Sequence, residues 1–206
     1  MAEIVLQGKN IKLRPKEWRD VQHDYEWSRD PELARLDATW PINLTLSEYI
    51  IGYEEELRRP SQGRYRFAIE TPDGQHIGNC MFYDLSDVTM QTELGILIGE
   101  RAFWDKGYGS EATCLLLDYI FKTTNVTKVY LHTLDWNIRA QKGFQKCGFV
   151  IQGHRQRDGY NFILMDITRL QWEAKQTNSN VYGESGPNGD NSGQTQGKQP
   201  CQQKYC

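Results

Sequence analysis

Residues 92–112, TELGILIGERAFWDKGYGSEA, have the composition and spacing of an anion-binding turn. From Thr92 to Ile98 the chain is short, β-branched and aliphatic, which predicts a strand closed by Gly99. Gly107, Tyr108, Gly109 and Ser110 lead into Glu111 and Ala112. Apolar residues then recur at Ala112, Leu115, Leu116, Tyr119 and Ile120, the spacing of a helix. Strand, glycine-bearing turn and helix start combine three aids to anion binding. Backbone N–H groups point out of the turn, glycine permits close approach, and the helix dipole favours negative charge. Taken alone, the pair Gly107 and Gly109 reads more readily as an ordinary loop.

Two common phosphate motifs are excluded. A nucleotide-hydrolase loop needs G-x-x-x-x-G-K-S/T, which the chain lacks. A dinucleotide fingerprint needs G-x-G-x-x-G, whereas residues 107–112 end in alanine and no acidic residue follows at a ribose-binding position. A second segment, residues 137–149, NIRAQKGFQKCGF, predicts a short helix. Asn137 is suited to cap it, Ala140, Phe144 and Cys147 share one face, and Gly148 suits a left-handed end.

Together the two segments resemble the GNAT superfamily of acyl-CoA-dependent N-acyltransferases. Its pyrophosphate-binding turn reads Q/R-x-x-G-x-G/A, and its later helix reads N-x-x-A/S-x-x-x-Y/F-x-K/R-x-G-F. The likeness spans roughly residues 9–170. IKLR at 11–14 is similar to the first strand, Asp30, Pro31 and Glu32 to the early helical region, and residues 74–80 to the central hairpin. WDKGYGSEA at 104–112 is nearest the branch named for ribosomal-protein N-terminal acetyltransferases, which also holds diamine and polyamine acetyltransferases.

The resemblance implies a site. Backbone N–H groups of Lys106, Gly107, Tyr108, Gly109 and Ser110 would hold the pyrophosphate of acetyl-CoA, with the Lys106 ammonium and Ser110 hydroxyl in support. Strand 92–98 would offer its free edge to the pantetheine arm at Leu97 and Ile98. Asn137 would face that arm or serve only as a cap. Arg139 or Lys142 would meet the 3′-phosphate, against the simpler reading of a solvated helix face. Glu93, out of phase with Leu94, Ile96 and Ile98, is the expected base, acting through water. Trp27, Asp37, Trp40, Tyr49 and Tyr53 would shape an acceptor cleft. Two residues depart from the family pattern. Asp105 replaces a usual glycine, and Phe144 stands where a tyrosine often protonates the leaving thiolate. The general acid is therefore unassigned.

The implied activity is transfer of an acetyl group to a primary amine by direct attack in a ternary complex. The acceptor is a small amine, a polyamine or a peptide N-terminus. Glu54, Glu55 and Glu56 are the acidic residues a polyamine would want, or else one solvated helix face. The alternative is a non-catalytic acyl-CoA-binding module. A homodimer is allowed for.

The remaining sequence supplies the frame. Strands are predicted at 11–14, 65–70, 76–85, 92–98, 126–134 and 161–167, and helices at 17–28, 46–58, 109–123 and 138–147. Thr45 with Glu48 forms a capping box. The expected fold is α+β, a three-layer αβα arrangement with a mixed, mostly antiparallel sheet. The crossover helix 109–123 makes strands 92–98 and 126–134 parallel. The acetyltransferase domain is placed at residues 1–174. A disordered polar tail is expected at 175–206, because it is rich in Gly, Gln and Asn. The net charge of −3 argues against nucleic acid as a partner. No apolar run is long enough for a membrane span, and no leader pattern opens the chain. Five cysteines without metal-ligand spacing suggest a reduced, cytoplasmic protein with no metal.

Overall fold

In the computed structural model, residues 5–181 are described. The chain order is β1 Leu6–Gln7, β2 Lys12–Pro15, a 3-10 turn Trp18–Asp20, α1 Val21–Arg29, α2 Pro31–Leu36, α3 Leu46–Arg58 and β3 Tyr65–Glu70. Then come β4 His76–Ser86, β5 Gln91–Ile98, a 3-10 turn Arg101–Phe103, α4 Tyr108–Thr123, β6 Lys128–Leu134, α5 Ile138–Cys147, β7 Val150–Arg157, β8 Tyr160–Thr168 and α6 Arg169–Val181. The strands form one sheet in the order β1-β2-β3-β4-β5-β6-β8-β7. Every neighbouring pair is antiparallel except β5 and β6, which are parallel as the crossover helix requires.

Alternation along the strands divides the molecule into layers. Leu13, Phe67, Ile69, Cys80, Phe82 and Leu94 meet Ala112, Leu116 and Ile120 of α4 in the main core, which extends to Phe144 and Cys147 of α5. The opposite face of β4, at Asn79, points toward α1, where the Asn79 amide donates to Asp24 Oδ1 at 2.7 Å. Helices α1 to α3 cover that face. Thr45 and Glu48 cap α3 reciprocally, as their spacing predicts.

Several elements go beyond the sequence expectation. β7 is exposed along nearly its whole length, so it carries no inward–outward alternation and is held by pairing with β8. α2, at six residues, is too short to show a period. α6 continues past Lys175, where the polar tail was expected to begin, and stays helical to Val181. Arg169 fastens it, donating to the carbonyls of Phe121, Thr124 and Val126 at the end of α4. The rest of that tail, with Cys201 and Cys206, lies outside the described residues.

Candidate active site

β5 and β6 pair from Gln91↔Lys128 to Glu93↔Tyr130 and no further. Beyond Glu93, β5 stays with β4 and β6 stays with β8, so the two strands diverge. A cavity of about 290 Å³ opens beside the freed edge. Leu97, Ile98, Gly107, Gly109, Ser110 and Asn137 line it, bringing together six of the residues singled out in the sequence.

The turn is built to leave donors free. Gly107 is the N-cap of α4 with φ 89°, a conformation costly for any residue with a Cβ. No side chain caps α4. The carboxylate of Glu111 in its first turn is drawn away to Asn10, accepting from the backbone N–H at 2.7 Å and the side-chain amide at 2.9 Å. An uncapped helix start facing a cavity leaves N–H donors available to an anion. Trp104 anchors the turn, its indole Nε1 donating to the Ile98 carbonyl at 2.7 Å. Arg139 stacks on the Trp104 ring at 3.8 Å, and its Nη1 lies 4.0 Å from Asp105 Oδ2. Asp105 has positive φ and a largely exposed side chain, so its carboxylate meets solvent and Arg139. Arg139, Lys142 and Lys146 all line the cavity from α5. Lys106 is exposed and its side chain does not line the cavity. The Tyr108 ring packs edge-on against Phe103, 5.1 Å between centroids. Neither Lys106 nor Tyr108 lines the cavity.

Asn137 Oδ1 accepts from the Ala140 N–H at 3.2 Å, so it does cap α5, and it also lines the cavity. Gln141 ties the start of α5 to the end of β6 by donating to the carbonyls of Leu134 and Asp135. Phe144 lines the cavity and packs against Phe149.

A second cavity, about 500 Å³, lies between β3–β5 and the layer of α1 to α3. It meets the first at Leu33, Asp37, Ile96 and Leu97, which line both. Gly78 keeps the sheet close under this junction, since a Cβ there would stand 2.2 Å from the Leu97 carbonyl oxygen. Of the expected cleft residues, Trp27, Asp37, Trp40 and Tyr49 line this second cavity. Tyr53 does not; its hydroxyl donates to the Glu17 carbonyl. Glu54, Glu55 and Glu56 lie outside both cavities and face Arg58, Arg59 and Arg66 respectively. Asp37 keeps part of its surface in solvent, and desolvation on its protein side pushes the carboxyl above the usual carboxylate range.

Glu93 lies on the same face of β5 as Gly95 and Leu97 but lines neither cavity. Its Oε1 is 3.0 Å from His132 Nδ1, and it stands opposite Tyr83, which lines the second cavity. Burial and then the neighbouring Glu93 charge hold the Tyr83 hydroxyl above its ordinary range.

Behind the cleft runs a buried charged network. Arg14 donates to both carboxylate oxygens of Asp20, at 2.7 and 2.8 Å, and to Glu70. Lys16 lies 2.7 Å from Asp24 Oδ2. Burial opposes ionisation of Asp20, but Arg14 and Lys16 outweigh it and hold the carboxyl down at about 2. Sequence patterns did not reveal this network, nor Arg64 in the loop before β3 and Arg66, Asn79 and Tyr83 on the strands, because polar residues at such positions are ordinarily exposed. Among the described residues, no group of three or more His, Cys, Asp or Glu side chains is arranged to hold a metal, and no helix is long and apolar enough to cross a membrane.

The arrangement suits an elongated ligand with phosphate at the turn, an amide-bearing arm along β5, and a reactive end at the junction. A family model described as the Acetyltransferase (GNAT) domain matches residues 10–150. Spermidine N(1)-acetyltransferase of Escherichia coli (strain K12) is 26% identical over 174 residues, covering 81% of this chain and 90% of the relative. Alpha/beta-tubulin-N-acetyltransferase 9 of Homo sapiens is 28% identical over 156 residues, covering 70% and 74%. Spermidine N-acetyltransferase from Vibrio cholerae, solved with CoA and spermine, shares the fold with TM-score 0.71 at 21% identity, over 81% of this chain and 99% of that one. Aminoglycoside acetyltransferase AAC(6')-Ib, solved with coenzyme A, shares it with TM-score 0.67 at 19% identity, over 81% and 99%.

Proposed function

Because this chain belongs to the GNAT acetyltransferase family, we propose that it transfers the acetyl group of acetyl-CoA to a small primary amine by direct attack within a ternary complex. The carrying observation is an uncapped helix start, opened by a left-handed glycine, at one end of a cavity that follows the free β5 edge to a second cavity. Acetyl-CoA, when bound, supplies the thioester. Backbone donors from Lys106 to Ser110 hold its diphosphate, with Arg139, Lys142 and Lys146 adding positive charge. Leu97 and Ile98 receive the pantetheine amides by strand addition. The junction at Leu33, Asp37, Ile96 and Leu97 brings amine and acyl carbon together, and much of the rate comes from that proximity.

The amine forms the new N–C bond, and the C–S bond breaks. Glu93, oriented by His132, takes the amine proton through water. Phe144 carries no proton, so the departing thiolate is left to solvent. Thiols have pKa values near 8.5, so a thiolate leaves tolerably near neutrality. The same phenylalanine favours the second reading, a non-catalytic acyl-CoA-binding module. A peptide N-terminus as acceptor, a cytoplasmic setting and a homodimer are further parts of the proposal.

Thermal midpoint with and without acetyl-CoA, and free-thiol release with an amine panel, test it. A native-state ligand raises the midpoint by mass action. A shift with thiol release supports the enzyme; a shift without release for every amine and peptide N-terminus favours the binding module. No shift overturns both. In the active enzyme, Glu93→Gln lowers kcat by about a hundredfold while leaving the acetyl-CoA shift intact.

A further inference from the structure

Acetyl transfer makes no use of two cations in the second cavity, Arg64 and Arg66. Arg64 precedes β3 and stacks on the Tyr83 ring, 5.6 Å from its centroid. Among the described residues it has no carboxylate partner within 4.0 Å. Arg66 stands opposite Met81, another cavity residue. Among the described residues its carboxylate partner is Glu56, a long ion pair at 3.9 Å from outside the cavity, which leaves guanidinium donors free to a ligand. Two acidic residues line the same cavity, Asp24 and Asp37. Asp24 is already occupied by Lys16 at 2.7 Å and the Asn79 amide at 2.7 Å. With that pair cancelled, the cavity presents two guanidinium groups at the β3 side and one carboxylate, Asp37, at the junction.

Such a field is wrong for a ligand that carries only positive charge. One end of a polyamine would meet Arg64 and Arg66, and like charges in a confined cleft repel. It is right for a ligand of two signs. Resting on the acetyl-transfer reading, we propose that the acceptor is an amine that also carries an anionic oxygen group, a carboxylate or a phosphate. Its amine lies at the Asp37 junction, and its anion is held by Arg64 and Arg66. Guanidinium groups suit both anions, as planar donors of paired hydrogen bonds. β3 lies two strand spacings from β5, about 10 Å, so amine and anion are joined by a short chain rather than a single carbon.

The test compares aminohexanoate, an aminoalkyl phosphate of equal length, the matched diamine hexamethylenediamine, and spermidine. Each is assayed by thiol release from acetyl-CoA, with wild-type protein, Arg64→Gln and Arg66→Gln. The expected result is a kcat/KM at least tenfold higher for one or both anionic amines than for the diamine. Which anion leads identifies its chemistry. In each variant that ratio falls toward one through a raised KM for the anionic amine. Preference for the diamine or spermidine, or a ratio unmoved in both variants, overturns the proposal. The acetyl-transfer reading fails separately, by loss of the midpoint shift with CoA alone. If CoA binds but no amine turns over, the midpoint of the CoA complex is read instead. A further rise with the anionic amines that exceeds the diamine's and is lost in Arg64→Gln supports the site; equal effects overturn it.

Discussion

Gly107 and Gly109 are two residues apart, yet alanine should act on them in different ways. Gly107 needs its conformation: at φ 89° a Cβ would touch nothing within 4 Å but would force an L-residue into the left-handed region. That costs about 1–2 kcal/mol. For a domain of this size it lowers the melting midpoint by about 2–8 °C. Gly109 is not in that region, and a Cβ there would meet Ile98 Cγ1 at an ordinary 3.6 Å. Alanine also favours a helix over glycine by up to about 1 kcal/mol, so Gly109→Ala keeps or raises the midpoint. Its methyl group would stand in the cavity where phosphate must approach. Loss of one charge-assisted N–H bond there is worth about 1.5–3 kcal/mol, or roughly tenfold to a hundredfold in CoA affinity. Calorimetric titration with CoA and thermal denaturation read the two effects separately. Wild-type CoA affinity in Gly109→Ala would refute the assignment of the turn, and an unchanged midpoint in Gly107→Ala would refute the conformational argument.

Three further expectations concern the frame around the site. Asp20, depressed to about 2 in the folded protein from 3.8, contributes stability that is full above pH 4 and is lost as pH falls from 4 toward 2, about 2 kcal/mol in all. Asp20→Asn leaves Arg14 short of a partner, destabilises by about 3–5 kcal/mol and flattens that acid limb in denaturant melts; an unaltered limb would assign it elsewhere. Cys80 is buried and its thiol is pushed up, whereas Cys114 is half-buried on α4 beside Cys147. In a Cys201→Ser, Cys206→Ser background, Cys114 should therefore react first with a thiol reagent and Cys80 only on unfolding, as peptide mapping would reveal. Amides of β5 beyond Glu93 should gain protection from hydrogen exchange on CoA binding more than those of β3, and equal gains would contradict strand addition.

The parts of this protein that repeat or punctuate were legible in its sequence. β3 is predicted at 65–70 and α3 at 46–58 with a capping box at its start, and both stand there in the structure. The turn at 104–110 could be read because glycine spacing and helix period fall next to each other. The acceptor side could not, since Arg66, Asn79 and Tyr83 come from strands whose outward positions accept almost any polar residue, and Arg64 from the loop before β3. Only the covering helices turn those positions into a cavity. Asp37 was singled out with the aromatics of the cleft, but its place between two cavities depends on α2, too short to announce itself. The buried ions Arg14, Lys16, Asp20 and Asp24 were not singled out, because burial of a charge depends on partners distant in the chain, such as Glu70 for Arg14.

The meeting of the two cavities at only Leu33, Asp37, Ile96 and Leu97 has a consequence for the donor as well as the acceptor. With an acyl group seated there, each methylene added to it extends into the space that the amine must enter. Acyl chain length and acceptor bulk therefore draw on one shared volume. A chain the length of acetyl would leave that volume to the amine and a butyryl group would compete with it, so in such a complex these four residues would limit donor length.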